Sequence, residues 1–581
     1  MFDEELKNSL LSEDAISNIR HWLTDKKYEF YREELVELIK NKEWKILEDA
    51  FFQVIPFGTG GRRGTCGVGS NRINRVTIGE TQQAFCDYLK QQYDGEELQI
   101  AIAYDSRITS EEFASFCAQV ASANNVKVLL FDGPRATPEL SFVVRQKQLH
   151  GGVVITASHN PSSDNGIKLY WSDGGQLVPP HDKAILDIAS DITEINESDT
   201  NSESDENITI IGQREDEQYW QAAIEAMQGN NTSLSVAYSP LHGTGITSVY
   251  PVLQQAGFKV DLLESQAEMD GHFPNVTNHI PNPEVPAAND KLAEFAFKNG
   301  CDVATSNDPD ADRYCILVND SDKMVQLNGN QAAALMTDYV LSSKSANNAI
   351  PDDSFIAYTI VTSDLLGAIA RKYDVNVVDN LLVGFKYIGE QIHLRADEGN
   401  QTFLCGGEES YGGIIGDYCR DKDAAGPTAA LCEYAAQLKA EGKTLLDRLS
   451  ELYEHHGVFH EDLHSEQFPG ADGFLKMQQF MKLLREQPPE TLGEHRVMRI
   501  RDYAGGKEIE GRSGDVLRIE VSDDGRNRVT VRPSGTEPKL KVYTQVHVPV
   551  SNGDVAEAKK KAHIKASELK ESIIALIDEQ G

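Results

Sequence analysis

The chain has 581 residues, 40% of them apolar and 25% charged, and its 55 Lys and Arg stand against 91 Asp and Glu, a formal charge of −36. That length calls for several domains, and the apolar share excludes a largely disordered chain. The acid excess excludes a broad nucleic-acid-binding surface, which needs clustered cations against phosphates. A chain this acidic handles anions only through local exceptions to its own field.

Residues 1–50 carry apolar side chains at helical spacing, Ile16, Ile19, Trp22 and Leu23, then Leu35, Leu38 and Ile39, which predicts an N-terminal helical extension. Met1-Phe2-Asp3-Glu4-Glu5 shows no basic stretch leading into an apolar one, and no apolar run approaches the ~18 residues of a membrane span. The expectation is a cytoplasmic protein with no membrane and no nucleic-acid partner. The cysteines, Cys66, Cys86, Cys117, Cys301, Cys315, Cys405, Cys419 and Cys432, form no CxxC pair and are expected to be buried free thiols.

A Gly and Arg segment, Gly58-Thr59-Gly60-Gly61-Arg62-Arg63-Gly64, comes next, and from 58 to 75 the cations Arg62, Arg63, Arg72 and Arg75 meet no acid. Strand-like runs at 98–104, 126–131 and 153–155 then alternate with helical ones, the pattern of a mostly parallel α/β sheet. Residues 190–207 are rich in Ser, Asn, Asp and Glu, with no Lys or Arg between Lys183 and Arg214, and read as a solvated linker. The α/β rhythm resumes at 234–238, before Ser239-Pro240-Leu241-His242-Gly243-Thr244-Gly245, and continues at 258–263 and 303–305. A third unit starts near 326 with strands at 355–361, 375–378 and 402–405. From about 460 the pattern changes. Leu517, Ile519 and Val521 alternate, Asp524-Gly525 supplies a turn, and Val529 and Val531 alternate again, which predicts a hairpin in an antiparallel sheet. A helix over 556–577 closes the chain. The expected division is 1–50, 51–207, 208–325, 326–457 and 458–581.

Four segments carry chemistry. Thr156-Ala157-Ser158-His159-Asn160-Pro161 follows a strand, so the Ser158 hydroxyl projects where α/β sheets bind ligands, with His159 and Lys168 at hand for electrostatic or proton-transfer work. Taken alone it could be a turn with a helix-capping Ser. Asp308-Pro309-Asp310-Ala311-Asp312-Arg313 sets three carboxylates at alternate positions, able to converge on one hard cation. The bland reading is an acidic surface loop. An EF-hand is excluded, because Arg313 stands at the sixth position and Asn319 at the twelfth. Gly406-Gly407-Glu408-Glu409-Ser410-Tyr411-Gly412, with Arg420-Asp421-Lys422-Asp423 beyond it, can bracket sugar hydroxyls and reach a phosphate. Arg532-Pro533-Ser534-Gly535-Thr536-Glu537-Pro538-Lys539 combines an Arg fork, hydroxyls and a Gly amide into an anion nest. Neither a Walker A motif nor a GxGxxG fingerprint is present.

In this order, TASHNP, DPDADR, GEESYG and RPSGTEPK resemble the α-D-phosphohexomutases over nearly the whole chain. The N-terminal helices, Gly58 to Arg63, Val383-Gly384-Phe385-Lys386-Tyr387 and Glu408-Glu409-Ser410-Tyr411 resemble the longer phosphoglucomutase branch with its phosphopentomutase-like members. The resemblance implies an α/β fold of three related domains with mixed sheets plus a C-terminal α+β domain with an antiparallel sheet, around a central cleft. It implies that Ser158 carries a phosphoryl group, and that Asp308, Asp310 and Asp312 hold Mg²⁺ against it. Arg63 and Lys168 would flank the transferring group, with Lys168 the leading acid/base candidate and His159 a supporting one. Gly407, Glu408 and Ser410 would grip sugar hydroxyls, and Arg532, Ser534, Gly535, Thr536 and Lys422 the substrate's other phosphate. Arg313 would order the cleft. The implied reaction interconverts glucose 1-phosphate and glucose 6-phosphate through glucose 1,6-bisphosphate, with pentose or mannose phosphates as the alternative. A departure bears on the sugar: some dual-specificity members have a His in the pattern GEMSGH, where this chain has Gly412.

Overall fold

The computed structural model describes every residue except 1, 8, 57–60, 199–203, 469, 510, 535–538 and 579–581. Its contacts fall into two compact units. The first comprises Met1–Glu225, Ser235–Tyr314 and Tyr418–Ala429, and the second Ala226–Leu234, Cys315–Asp417 and Ala430–Gly581.

The first unit begins with helices Glu13–Thr24, Arg32–Lys40 and Trp44–Phe51. Ser12 caps the first, its hydroxyl accepting from the Ala15 N–H at 3.2 Å. Their apolar stripes, among them Ile19, Trp22, Leu35, Leu47 and Phe51, form one core with Val68 and Val76 from the segment that follows.

A six-stranded sheet then runs in the order Gly61–Thr65, Asp164–Trp171, Gly151–Ile155, Gln99–Tyr104, Lys127–Phe131, Ile208–Ile211. The first two pairings are antiparallel and the other three parallel. The inner parallel strands Gln99–Tyr104, Lys127–Phe131 and Gly151–Ile155 are buried along nearly their whole length, as strands covered by helices on both faces must be, while the edge strand Ile208–Ile211 is partly exposed. Ile100, Ile102, Val153, Ile155 and Leu169 pack against Phe85 and Leu89 of helix Arg75–Gln92 and Phe113 and Val120 of helix Ser110–Ala123.

The acidic stretch expected to be a solvated linker is partly packed. Ile195 reaches both apolar cores, the Asn196 N–H donates to Gln83 Oε1 at 3.2 Å, and Glu197 pairs with Arg75. Residues 199–203 of that stretch lie outside the described residues. The unit continues with parallel strands Lys259–Leu262, Ser235–Ser239 and Val303–Asn307.

The second unit holds a mixed sheet ordered Asn376–Leu381, Ser354–Thr359, Thr402–Gly407, Gly413–Ile415, its last pairing antiparallel. It also holds a wholly antiparallel sheet ordered Val458–Gln467, Lys539–Val548, Arg528–Pro533, Leu517–Glu520, Arg499–Asp502. The expected hairpin is the pair Leu517–Glu520 and Arg528–Pro533, and the expected closing helix is Val555–Asp578, whose Ala562, Leu569 and Ile573 are buried. Buried Arg528 ties the two sheets of this unit, donating to Asp364 Oδ1 at 3.1 Å. The eight cysteines are free and only Cys66 is not fully buried, and burial pushes the Cys86, Cys405 and Cys432 thiols up to about 12. No helix among the described residues is long and apolar enough to cross a membrane.

Candidate active site

In the first unit three loops leave the C-terminal ends of parallel strands, the sheet edge where α/β folds bind ligands. They begin at Asp105, Thr156 and Asp308, after Gln99–Tyr104, Gly151–Ile155 and Val303–Asn307.

The Thr156 loop is turned by backbone contacts. Ser158 adopts φ +52°, an uncommon conformation for a residue with a Cβ. Its N–H donates to Thr156 Oγ1 at 2.7 Å, and the Thr156 hydroxyl donates to Asp105 Oδ2 at 2.6 Å. Arg107, fully buried, donates to four carbonyls of the loop: Ser158 and Asn160 at 2.6 Å, Pro161 at 2.7 Å and Asp164 at 2.8 Å. With its carbonyls gathered on one cation, the loop presents the serine hydroxyl the other way. Ser158 Oγ donates to Asp308 Oδ2 at 2.6 Å and lies 3.3 Å from His159 Nδ1.

The Asp308 loop folds on itself through Ala311, at φ +49°, and Asp308 Oδ1 accepts the N–H groups of Asp312 and Arg313 at 3.2 and 3.0 Å. Asp308, Asp310 and Asp312 are fully buried, and one oxygen of each lies within 4.8 Å of the others. Lys168 donates to Asp310 Oδ2 at 2.8 Å and Asp312 Oδ2 at 3.1 Å, and Lys422 to Asp312 Oδ2 at 2.7 Å. Arg313 pairs with Glu284 and flanks Asp308 and Asp312.

Three cations face the three carboxylates, but one of them, Arg313, is shared with Glu284. Burial, then the neighbouring Asp312 and Asp310 carboxylates, push Asp308 well above the usual carboxylate range. Burial opposes ionisation of Asp310 as well, but Lys168 and Lys422 outweigh it and hold that carboxyl well below its ordinary value. Asp312 is lowered by the same two lysines against burial and the Asp310 charge. Lys168 is raised, the two carboxylates outweighing burial. Asp310 Oδ1 and Asp312 Oδ1 are buried and make no hydrogen bond. Orphaned carboxylate oxygens are costly in a buried site, and an all-oxygen donor set of this kind fits a hard divalent cation.

Sequence reading missed the residues that hold these loops, which are far from them in the chain. Thr137 donates its hydroxyl to Asp310 Oδ2 at 2.8 Å and its N–H to the Asp310 carbonyl at 2.9 Å. Thr244 donates both N–H and hydroxyl to the Pro309 carbonyl at 2.8 Å. A Cβ on Gly243 would come 2.3 Å from Pro309 Cα, so only glycine fits there. These two residues give the Ser239–Gly245 motif its place, as a seat for the carboxylate loop. Lys422 arrives on the segment Tyr418–Ala429. Tyr170 and Gln176 anchor that segment by donating to Asp421 Oδ2 at 2.7 and 2.6 Å, and Tyr219 does so by donating to Asp423 Oδ1 at 2.6 Å. Arg63 lies on strand Gly61–Thr65 opposite Gly166, on the face that carries Lys168.

In the second unit Gly407 ends strand Thr402–Gly407 and the loop turns through Tyr411 at φ +65°. The Glu408 N–H donates to the Gly412 carbonyl at 2.8 Å, and the Tyr411 hydroxyl to the Leu327 carbonyl at 3.0 Å. A Cβ on Gly329 would come 2.0 Å from the Glu409 carbonyl, so glycine lets this loop lie against the start of helix Gly329–Ala346. Glu408 is buried and Ser410 half-buried. Arg532 and Ser534 are half-buried at the end of strand Arg528–Pro533, where the Ser534 N–H donates to the Lys539 carbonyl at 2.7 Å. Gly535 and Thr536 lie outside the described residues.

Comparison with known proteins agrees with this architecture. Residues 55–196, 217–321 and 328–456 match the models of phosphoglucomutase/phosphomannomutase alpha/beta/alpha domains I, II and III, and residues 495–561 match that family's C-terminal domain. A phosphoglucomutase of Staphylococcus epidermidis is 33% identical over 506 residues, 85% of this chain and 90% of its own. One of Staphylococcus haemolyticus is 33% identical over 520 residues, 86% of this chain and 92% of its own. The crystal structure of the Paramecium exocytosis-sensitive phosphoprotein pp63/parafusin, a phosphoglucomutase in its open form, superposes with a TM-score of 0.67 at 19% identity, covering 90% of this chain and 98% of that one. With the four domain types in order and a third of the residues shared with these relatives over most of its length, the chain belongs to the phosphoglucomutase/phosphomannomutase family of α-D-phosphohexomutases.

Proposed function

We propose that the protein is a phosphoglucomutase that interconverts α-D-glucose 1-phosphate and glucose 6-phosphate, through a phosphoserine at Ser158 and a glucose 1,6-bisphosphate intermediate. The observation that carries this reading is the Ser158 hydroxyl, held 2.6 Å from Asp308 beside a buried three-carboxylate cluster that two lysines face. The names of the Staphylococcus relatives support the sugar.

Asp308, Asp310 and Asp312, with an oxygen of the Ser158 phosphoryl group, would hold Mg²⁺, which would polarise that group and neutralise charge on it. The P–O bond to Ser158 breaks as a P–O bond to the sugar hydroxyl forms, and the hydroxyl proton leaves to a base of the protein. The bisphosphate turns end for end, and the free serine takes the other phosphoryl group back. Lys168 is the leading acid/base group. In the resting geometry its carboxylate partners keep it protonated, so it starts as a proton donor or charge partner. His159, 3.3 Å from Ser158 Oγ, is placed to exchange the serine proton. Arg63 flanks the transferring group, and Arg313 orders the Asp308 loop. Gly407, Glu408 and Ser410 take the sugar hydroxyls, and Arg532, Ser534, Gly535 and Thr536 take the second phosphate, while Lys422, expected from the resemblance to help there, sits on Asp312 and faces the transferring group. Because this arrangement serves both halves of the reaction, the sugar loop accepts two orientations.

The sugar is tested by kcat/KM on the 1-phosphates of glucose, mannose, ribose and deoxyribose. Glucose 1-phosphate is expected to lead by about tenfold or more, the scale set by a few hydroxyl contacts. Better use of ribose 1-phosphate overturns the assignment of glucose and keeps the chemistry. A second expectation concerns Arg107. Lysine keeps the charge but cannot reach four carbonyls at once, so Arg107→Lys should lower kcat about 100-fold as the serine loop loosens. Steady-state kinetics with substrate in excess measure this.

A further inference from the structure

We propose that the N-terminal helices position Arg63 for catalysis, acting through Lys27 and Glu80; this rests on the reading of Ser158 and Arg63 as parts of a phosphoryl-transfer site. Among the described residues strand Gly61–Thr65 is an edge strand that pairs with Asp164–Trp171 alone, with Arg63 opposite Gly166 and Gly61 opposite Lys168. Opposed residues of an antiparallel pair share a face, so Arg63 lies on the side of Lys168 and Arg62 on the other. A slip of one residue would exchange the two arginines. The sequence Gly61-Arg62-Arg63-Gly64-Thr65 has no apolar alternation to set its faces; Gly61, where a Cβ would come 1.9 Å from the Ile167 carbonyl, fixes one position, and contacts outside the strand hold the arginines to either side.

Arg62 is the anchor. It is buried, and its guanidinium donates to the Thr77 carbonyl at 3.1 Å and to Glu80 Oε2 at 3.3 Å, both on helix Arg75–Gln92. The other oxygen of Glu80 accepts from Lys27 Nζ at 2.8 Å, and Lys27 donates again to the Ile192 carbonyl at 2.8 Å. Lys27 belongs to the short helical turn Lys26–Tyr31 of the N-terminal extension. The carboxylate that holds Arg62 is therefore itself held by the extension.

The far side of the arginine segment is fixed as well. Gly69 sits at φ +140°, and a Cβ there would come 2.4 Å from the Ala50 carbonyl. The Asn71 N–H donates to that carbonyl at 2.9 Å, and Asn71 Nδ2 and Arg72 donate to the Asp49 carbonyl at 3.0 and 3.1 Å, capping helix Trp44–Phe51. The Ile55 N–H donates to the Ser70 carbonyl at 2.8 Å. The segment from Arg62 to Val76 is thus clamped by the extension at both ends, with the arginines between the clamp and the serine loop's strand.

The test uses the full-length enzyme with Lys27→Met and Lys27→Arg, alone and combined with Arg63→Lys. Lys27→Met is expected to lower kcat about tenfold with KM for glucose 1-phosphate within about twofold, because misplacement of a group at the reacting centre costs turnover. Lys27→Arg, which keeps charge and donors, should restore most of it. In the Arg63→Lys background Lys27→Met should cost nothing further, the non-additivity of residues that act through one another. Glu80→Gln should give the same split between kcat and KM. Melting temperature is read on the same samples. The proposal is overturned by full kcat in Lys27→Met, by an additive loss in the Arg63→Lys background, or by a loss that follows melting temperature alone. A wild-type enzyme that turns over no sugar phosphate would overturn the functional reading instead.

Discussion

Ser158→Ala is expected to abolish mutase turnover, by at least about 10⁴-fold, the scale seen when a covalent nucleophile is removed. Intact mass should show one phosphoryl group on a fraction of the wild-type chains and on none of the variant. The substitution is a clean one. Arg107 grips carbonyls of the loop and not its side chains, so the loop keeps its path. The hydroxyl leaves one hydrogen bond to Asp308 unmade, and alanine meets the same positive φ that serine does. The fold should therefore lose no more than about 1–3 kcal/mol, read as a modest fall in melting temperature. The rival chemistry, a phosphatase with an aspartate of the Asp308 loop as nucleophile, makes the opposite prediction: turnover survives Ser158→Ala and inorganic phosphate accumulates. A variant that keeps mutase activity would refute the phosphoserine route outright.

What the sequence disclosed and what it hid divide by distance along the chain. The three aspartates are legible because they lie within five residues, and local spacing alone says that they can converge. Parallel strands such as Gln99–Tyr104 and Gly151–Ile155 are legible because burial on both faces forces apolar composition. Strand Gly61–Thr65 has no such composition: it is an edge strand of Gly, Arg and Thr, held through Arg62 by the helix that follows it. The residues that seat the loops are hidden for a related reason. Thr137 reaches Asp310 across 173 positions, and Arg107 reaches the Ser158 carbonyl across 51. A threonine that opens a helix and an arginine after a strand look in sequence like any cap or surface charge. Lys422 shows the same limit. Its sequence neighbourhood points to a phosphate, while folding sets it on Asp312, because Tyr170, Gln176 and Tyr219 draw its segment into the first unit.

Asp308→Asn is expected to separate metal binding from folding. In the metal-free protein, burial and two neighbouring carboxylates already drive Asp308 toward its neutral form, and asparagine is the neutral isostere of that form. The asparagine oxygen can still accept the N–H groups of Asp312 and Arg313, and its amide can face Ser158 Oγ. The metal-free variant should melt at or slightly above the wild-type temperature, since at neutral pH the raised Asp308 carboxyl costs stability by having to take up a proton on folding, and asparagine removes that cost. With Mg²⁺ the order reverses. At 100 times its dissociation constant a cation that binds only the folded state stabilises by about 2.7 kcal/mol, and the wild type should gain that while the variant gains little. Turnover should fall about 10³-fold, the size of a lost electrostatic contact at the reacting group. Melting curves with and without Mg²⁺, and kcat at saturating Mg²⁺, read both effects. A metal-free variant that is markedly less stable would mean that Asp308 is ionised and held by Arg313. A variant that keeps the cation's stabilisation would place the ion elsewhere. The opposite signs follow from one fact: three buried carboxylates face two lysines and an arginine shared with Glu284, and the buried oxygens of Asp310 and Asp312 that make no hydrogen bond remain to be satisfied.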